Sequence, residues 1–240
     1  MTIVAIILTV AAIALITAAV YASAAIGSGV YVKALCRAAT DEKVVALTFD
    51  DAPDPIQTPK VLEVLRQHHV HATFFCIGNR AEAYPDIVRQ ITADGHLIGN
   101  HSYSHSNCFP LFPRRKMQLD LERCDTTLAQ CTPTGNDMKL FRPPFGVTNP
   151  TVASAVKSLG YTVIGWNIRS FDTARSTESA FYSICRRMRP GSIVLLHDRL
   201  PDSHILLERL LKYLHDNDYR IERVDQMLKL TPKPQTNHRQ

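Results

Sequence analysis

The chain carries no charged side chain between Thr2 and Val32; the first is Lys33. A charge-free apolar stretch longer than the roughly 20 residues needed to cross a bilayer excludes ordinary surface structure, so residues 1–32 are read as a transmembrane anchor or signal segment. No Lys or Arg precedes the apolar run, which favours an uncleaved anchor over a secretory signal. Ala22-Ser-Ala24 nevertheless fits the small-x-small cleavage pattern and keeps a cleaved signal, hence a secreted protein, open. Lys33 and Arg37 follow the span, and on the positive-inside rule alone they favour a cytoplasmic domain, a bias of only a few charges.

Other absences narrow the class further. The six cysteines include no Cys-x-x-Cys pair and no set of short spacings, so no disulfide framework is legible and the redox compartment stays open. Cys124 and Cys131, seven apart in a helix-like stretch, would lie about 10 Å apart along the axis, too far to bridge. Cys76 sits in an apolar run as a small buried hydrophobe. The net charge of +5 is modest and the basic residues are scattered. Arg114-Arg115-Lys116 reads as a solvated loop or helix start, and no patch is large enough to suggest nucleic acid. There is no internal repeat.

What is present, in 240 residues, fits one α/β domain and a short appendage. Residues 33–42 read as a linker, 43–230 as the domain and 231–240 as a flexible tail. Within the domain, strand patterns at 44–49, 72–77, 97–99, 140–141, 161–166, 192–197 and 219–223 alternate with helix patterns. The helices fall at 58–67, 84–94, 117–130, 150–159, 176–188 and 203–217, with a short one before 230. Pro59, Pro85 and Pro150 suit first helical turns, and Gly95 and Gly160 close helices. Regular β-then-α order implies a parallel sheet, and about seven repeats suggest a closed or nearly closed barrel.

Polar residues gather where these strands end: Asp50 and Asp51, His101, Arg142, Asp172, His197 and Asp198. That is the end at which barrel enzymes build active sites. Asp50 and Asp51 close an apolar strand whose adjacent side chains point to opposite faces, so both reach one site only if the backbone turns there. His101 and His105 have the i, i+4 spacing that shares a face of a helical turn. Asp51, His101 and His105 together suffice for a zinc-type ion with one position open. Each motif alone also fits a structural role, the acids as a helix cap and the histidines as loop residues. Their joint occurrence points to a metal hydrolase, with Asp50 free to take a proton from water. Arg142 opens a rigid Pro-Pro turn able to hold a carboxylate and present N–H groups to negative charge. His197 ends a buried strand, where a general acid could sit with Asp172 as its carboxylate; the Asp198 side chain should point the other way. The remaining histidines lack such context.

Thr48-Phe-Asp-Asp-Ala-Pro53, His101-Ser-Tyr-Ser-His105, Arg142-Pro-Pro-Phe-Gly146, Asp172 and Leu195-Leu-His197 resemble, in order and spacing, the motifs of the polysaccharide deacetylase family, the NodB-homology group of carbohydrate esterase family 4. Thr73-Phe-Phe-Cys-Ile-Gly78 and the segment from Gly95 to His101 also look like the family's. The resemblance implies a distorted (β/α)7 barrel, here preceded by one N-terminal transmembrane or signal helix. It also implies metal-dependent removal of the N-acetyl group from N-acetylglucosamine residues in peptidoglycan, chitin or related polymers. By matching positions, Asp50 would be the base and Asp51, His101 and His105 the ligands of one divalent ion, zinc first, with cobalt, nickel or manganese as options. Arg142 would orient Asp50, the Phe145 amide would help hold the oxyanion, Asp172 would tune the acid His197, and Leu195 would line the acetyl pocket. The fourth motif departs from the family's Asp-x-x-Asp-Trp: Arg169 replaces the first acid and Thr173 the tryptophan, which bears on acyl and sugar specificity. Ala52 stands where glycine is common.

The expectation is therefore a membrane-anchored, envelope-facing deacetylase of N-acetylated glycan, with peptidoglycan as the leading polymer and no nucleic-acid role. Two rivals stand beside it: a deformylase or deacylase of a lipid-linked amino sugar, and a catalytically silent glycan-binding module.

Overall fold

The computed structural model describes residues 2–132 and 138–231. It contains α1 (Thr2–Ala24), β1 (Val44–Ala52), α2 (Gln57–Gln67), β2 (Thr73–Cys76), α3 (Gly78–Ala83), α4 (Pro85–Ala93), β3 (Leu97–Asn100) and α5 (Arg114–Cys131). After these come β4 (Leu140–Phe141), α6 (Pro150–Ser158), β5 (Thr162–Val163), β6 (Ile168–Arg169), α7 (Thr177–Arg187), β7 (Ile193–His197), α8 (Ser203–Asp216), β8 (Arg220–Ile221) and α9 (Val224–Met227). The tail expected at 231–240 lies, from residue 232 on, outside the described residues.

The strands form one curled parallel sheet in the order β5-β4-β3-β2-β1-β7-β6, with β8 added beside β1. β1 is central and buried throughout, as its near-continuous apolar sequence requires of a strand covered on both faces. Its alternation sorts the layers. Val45, Leu47 and Phe49 pack outward against Val61, Leu62 and Leu65 of α2 and Leu207 and Leu211 of α8. Val44 and Ala46 face the barrel interior with Phe75, Leu140, Ile164 and Ile193. The same period carries Thr48 and Asp50 to the interior face at the strand's C-terminal end.

Two expectations change. The strand read at 161–166 shrinks to β5, which pairs with β4, and a short strand that was not expected, β6, follows at Ile168–Arg169 and pairs with β7. The stretch read as a linker is bonded into the barrel. Leu35 N donates to Val163 O and Gly165 N to Leu35 O, both at 2.9 Å, while Ala38 N donates to Gly191 O at 2.9 Å. Residues 35–38 thus strap the seam between β5 and β7, with Val32 and Ala38 buried. The close approach explains Gly165, where a Cβ would lie 2.5 Å from Cys36 Sγ. Alternation cannot reveal such a strap, since it pairs through only isolated bridges.

Candidate active site

Asp50 and Asp51 reach the same cavity because β1 bulges between them. The register with β2 shifts between Asp50 and Ala52, and Asp51 takes a left-handed φ of 72°. Aspartate tolerates that conformation better than most residues, and a bulge re-aims the side chain it carries. Both carboxylates are buried, at 4% and 7% exposure.

His101 and His105 do not share a helical turn. They lie on an irregular loop after β3, with positive φ at Ser102 (67°) and His105 (43°). Ser102 N donates to Asn100 Oδ1 at 2.8 Å, His105 N to Ser102 Oγ at 3.0 Å and Tyr103 N to Asp120 Oδ1 at 2.8 Å, which fixes the loop. The ring centroids end 4.9 Å apart, so the pairing expected from i, i+4 is reached by a different backbone.

Arg142 is fully buried at the end of β4. Its Nη1 donates to Asp50 Oδ1 at 2.7 Å and to Thr48 Oγ1 at 2.8 Å; Nε donates to Ile164 O and Nη2 to Gly165 O. The guanidinium lies 4.1 Å from the Phe75 ring centroid. Burial pulls its pKa down and Asp50 pushes it back. In the turn that follows, Phe145 has φ 60° and is half-exposed, its ring 4.9 Å from that of His105. Gly146 has φ 71° and a Cβ there would meet Trp166 at 2.5 Å, so glycine is required.

On the other side, Asp172 grips His197 twice. His197 Nδ1 lies 2.8 Å from Asp172 Oδ1, and His197 N donates to Asp172 Oδ2 at 2.8 Å. Burial lowers the imidazole's pKa, but the Asp172 hydrogen bond and charge, with Asp50 and Asp51, outweigh it and leave the pKa raised. Leu195, two residues back on β7, shares the face of His197 and is 2% exposed. Asp198 points away as expected, accepting from Thr58 Oγ1 in a fully buried site. Burial raises its carboxyl to about 7.

One site residue was not legible. Arg199 Nε donates to Asp51 Oδ2 at 2.7 Å, leaving Asp51 Oδ1 facing His105 Nε2 at 3.4 Å and His101 Nε2 at 3.7 Å. Its place just beyond β7 was the only available signal. Burial raises the Asp51 pKa, but His101, the Arg199 bond, His105 and His197 overcome it and hold the group at about 2. His105 is held at about 4, by burial first and then by His101.

The donor chemistry fits a divalent ion. Asp51, His101 and His105 each offer an atom within 4.8 Å of the others. His101 Nδ1 lies 2.8 Å from Arg142 O, an acceptor only, so that nitrogen donates and Nε2 is the atom turned toward the carboxylates, 3.8 Å from Asp50 and 3.7 Å from Asp51, free to serve as a ligand.

The sequence profile of the polysaccharide deacetylase family matches residues 37–164. A chitooligosaccharide deacetylase of Sinorhizobium fredii is 30% identical over 82% of this chain and 97% of its own. A peptidoglycan-N-acetylglucosamine deacetylase of Bacillus cereus is 35% identical over 79% and 90%. Among solved structures, the Bc1960 peptidoglycan N-acetylglucosamine deacetylase superposes with a TM-score of 0.76 at 28% identity, covering 82% of this chain and 94% of that one. BA3943, a CE4 family pseudoenzyme of Bacillus anthracis, shares the fold at 24% identity and a TM-score of 0.74, covering 81% and 68%. The fold is thus common to active and inactive relatives, but the match in sequence is to deacetylases, and the chain belongs to the polysaccharide deacetylase family, hydrolases of amide bonds.

Proposed function

We propose that the protein is a metal-dependent deacetylase of N-acetylglucosamine residues in a cell-envelope polysaccharide, with peptidoglycan as the polymer. The observation that carries this reading is the division of labour among buried carboxylates around one donor set. Asp50 is held by Arg142 through Oδ1, Asp51 faces the two histidines, and Asp172 backs His197. Asp51, His101 and His105 would hold the ion, zinc first, with cobalt, nickel or manganese as options. Bound there, it supplies Lewis-acid polarisation of the acyl carbonyl and lowers the pKa of a water toward about 7.

The chain's own residues do the rest. Asp50, fixed by Arg142 at one oxygen, accepts the proton of the attacking water at Oδ2. The Phe145 backbone N–H, on its left-handed turn, meets the oxygen that becomes negative. His197, with Nδ1 held by Asp172, gives the proton on Nε2 to the departing nitrogen as the C–N bond breaks. Water is consumed, and acetate and a free amine leave. Leu195 walls the methyl group, and Thr173 widens the pocket where the family carries tryptophan. α1 anchors the protein with its domain facing the periplasm or cell exterior.

The test is acetate release by the full-length, metal-loaded protein from purified peptidoglycan, beside Asp50→Asn and His101→Ala. Release that both substitutions lower by at least about 10²-fold supports the assignment. Equal release by all three proteins overturns it.

A further inference from the structure

α1 does not hang from a loose tether. Thr148 N donates to Ser23 O at 2.9 Å and Thr148 Oγ1 to Ala22 O at 3.3 Å. These are carbonyls that a helix end leaves without intrahelical partners. Ala22 is the buried residue of the helix, and Thr148 is 1% exposed. Thr148 also ends the turn that carries Phe145 and Gly146. The same loop therefore lines the metal pocket and caps the apolar helix.

Length fixes what this means. Twenty-three residues at 1.5 Å rise make α1 about 34 Å long, against a hydrocarbon core of about 30 Å. Tyr21, exposed near its end, falls at headgroup level, where tyrosine collects. Phe145 is three residues from Thr148 and so within about 10 Å of it. With α1 across a bilayer, the pocket would open beside the headgroup layer.

A cationic shelf lies on the same rim. Arg169 and Arg175 flank the Phe171 ring at 5.1 and 4.7 Å, beside Asp172. Arg169 is also 6.0 Å from Trp166, the ring on which Gly146 packs. Both arginines are exposed, and neither forms an ion pair with a carboxylate among the described residues. Unpaired guanidinium groups suit phosphate oxygens.

We propose that α1 is retained and its last turn holds the site at the membrane surface, where it takes N-acetylated glycan still joined through phosphate to a membrane lipid, with Arg169 and Arg175 receiving the phosphate. This rests on the deacetylase reading and places the reaction before the glycan leaves its carrier.

The experiment uses the full-length, metal-loaded protein in phosphatidylcholine vesicles. Three substrates are compared: polyprenyl-diphosphate-linked N-acetylglucosaminyl glycan in the same vesicles, the same sugar diphosphate without lipid, and a neutral N-acetylglucosamine oligomer. The expected result is kcat/KM for the lipid-linked substrate at least about tenfold above both others. The double substitution Arg169→Gln/Arg175→Gln should lower the lipid-linked to oligomer ratio about tenfold. A twelve-residue Gly/Ser insertion after Ala25 should lower it similarly by lifting the site off the surface. Mass analysis should find α1 still attached. Sugar diphosphate turned over as well as the lipid-linked form, or a neutral oligomer preferred, overturns the proposal, as does cleavage after Ala24. Failure of the parent to release more acetate than Asp50→Asn from any substrate would instead overturn the deacetylase reading itself.

Discussion

Arg142 offers the sharpest test of how the site is held. Arg142→Met keeps similar bulk but strips the hydrogen bonds to Thr48 Oγ1, Asp50 Oδ1, Ile164 O and Gly165 O. It also leaves Asp50, 4% exposed, without its counter-charge. Breaking one partner of a buried pair costs about 3–5 kcal/mol, chiefly because the surviving charge is stranded. If that is the cause here, Asp50→Asn/Arg142→Met should recover about 2 kcal/mol or more over the single variant, because no buried charge remains. Trp166 is the chain's single tryptophan and lies 5.5 Å from the guanidinium, so its fluorescence can follow urea unfolding. Acetate release should fall about 10²-fold or more in both variants, because the proposed base, Asp50, is misdirected in one and absent in the other. Arg142→Lys, which keeps the charge but not the planar fork, should lose kcat with little change in KM. Equal unfolding free energies for Arg142→Met and the double variant would refute the reasoning, since the stranded charge would then contribute nothing.

Further outcomes follow from neighbouring contacts. Asp172→Asn removes the group that raises the His197 pKa, so the alkaline limb of the pH–rate profile should move to lower pH. In the parent, that raised pKa adds stability fully present below the imidazole's unfolded value near 6.5 and lost as pH rises through the folded value; unfolding at two pH values should show the variant without that dependence. Arg199→Gln keeps an amide donor for Asp51 Oδ2 but removes a part-exposed cation, and should tighten divalent-ion binding about tenfold in a chelator competition. Asp198, with a folded value of about 7 against 3.8, opposes folding as pH rises between those values, by on the order of 4 kcal/mol at most. Asp198→Asn should therefore lose less stability than the parent between pH 5 and 8. Deleting residues 1–40 removes the strap from Leu35 to Ala38 and should lower the unfolding midpoint of the remaining domain well below that of a deletion ending at residue 25.

The sequence made the central elements legible where pattern and chemistry coincide. β1 announced itself by a continuous apolar run ending in two acids, and α2, α5 and α8 by periodic leucines with proline or polar starts. The site was legible for the same reason: its residues stand at strand ends, where β-then-α order puts them side by side. What escaped notice depends on backbone geometry that no period encodes. The histidines meet through left-handed residues at Ser102 and His105, while the i, i+4 spacing suggested a helical turn. The short strands β5 and β6 pair with different neighbours, and the strap across the seam between β5 and β7 rests on two isolated bridges. Arg199 acts through a single long side chain reaching Asp51, a contact that spacing along the chain cannot anticipate.

The charges around the pocket explain why Arg199 can be tolerated beside Asp51, the proposed metal ligand. Asp50, Asp51 and Asp172 face the guanidinium groups of Arg142 and Arg199 and the imidazole of His197, and Asp198 behind them is pushed toward the neutral form by burial. A divalent ion held there would add two positive charges, and Arg199 adds one more beside it. Repulsion from that arginine weakens ion binding, but hydrolysis of an amide builds negative charge on the carbonyl oxygen, and only interactions stronger at that stage than before it accelerate the reaction. Added positive charge in a largely buried site meets that condition, because the ground-state amide is neutral and feels it weakly. Tighter metal binding in Arg199→Gln should therefore come with a lower kcat at saturating metal, and an unchanged or higher kcat would remove the electrostatic role assigned to Arg199.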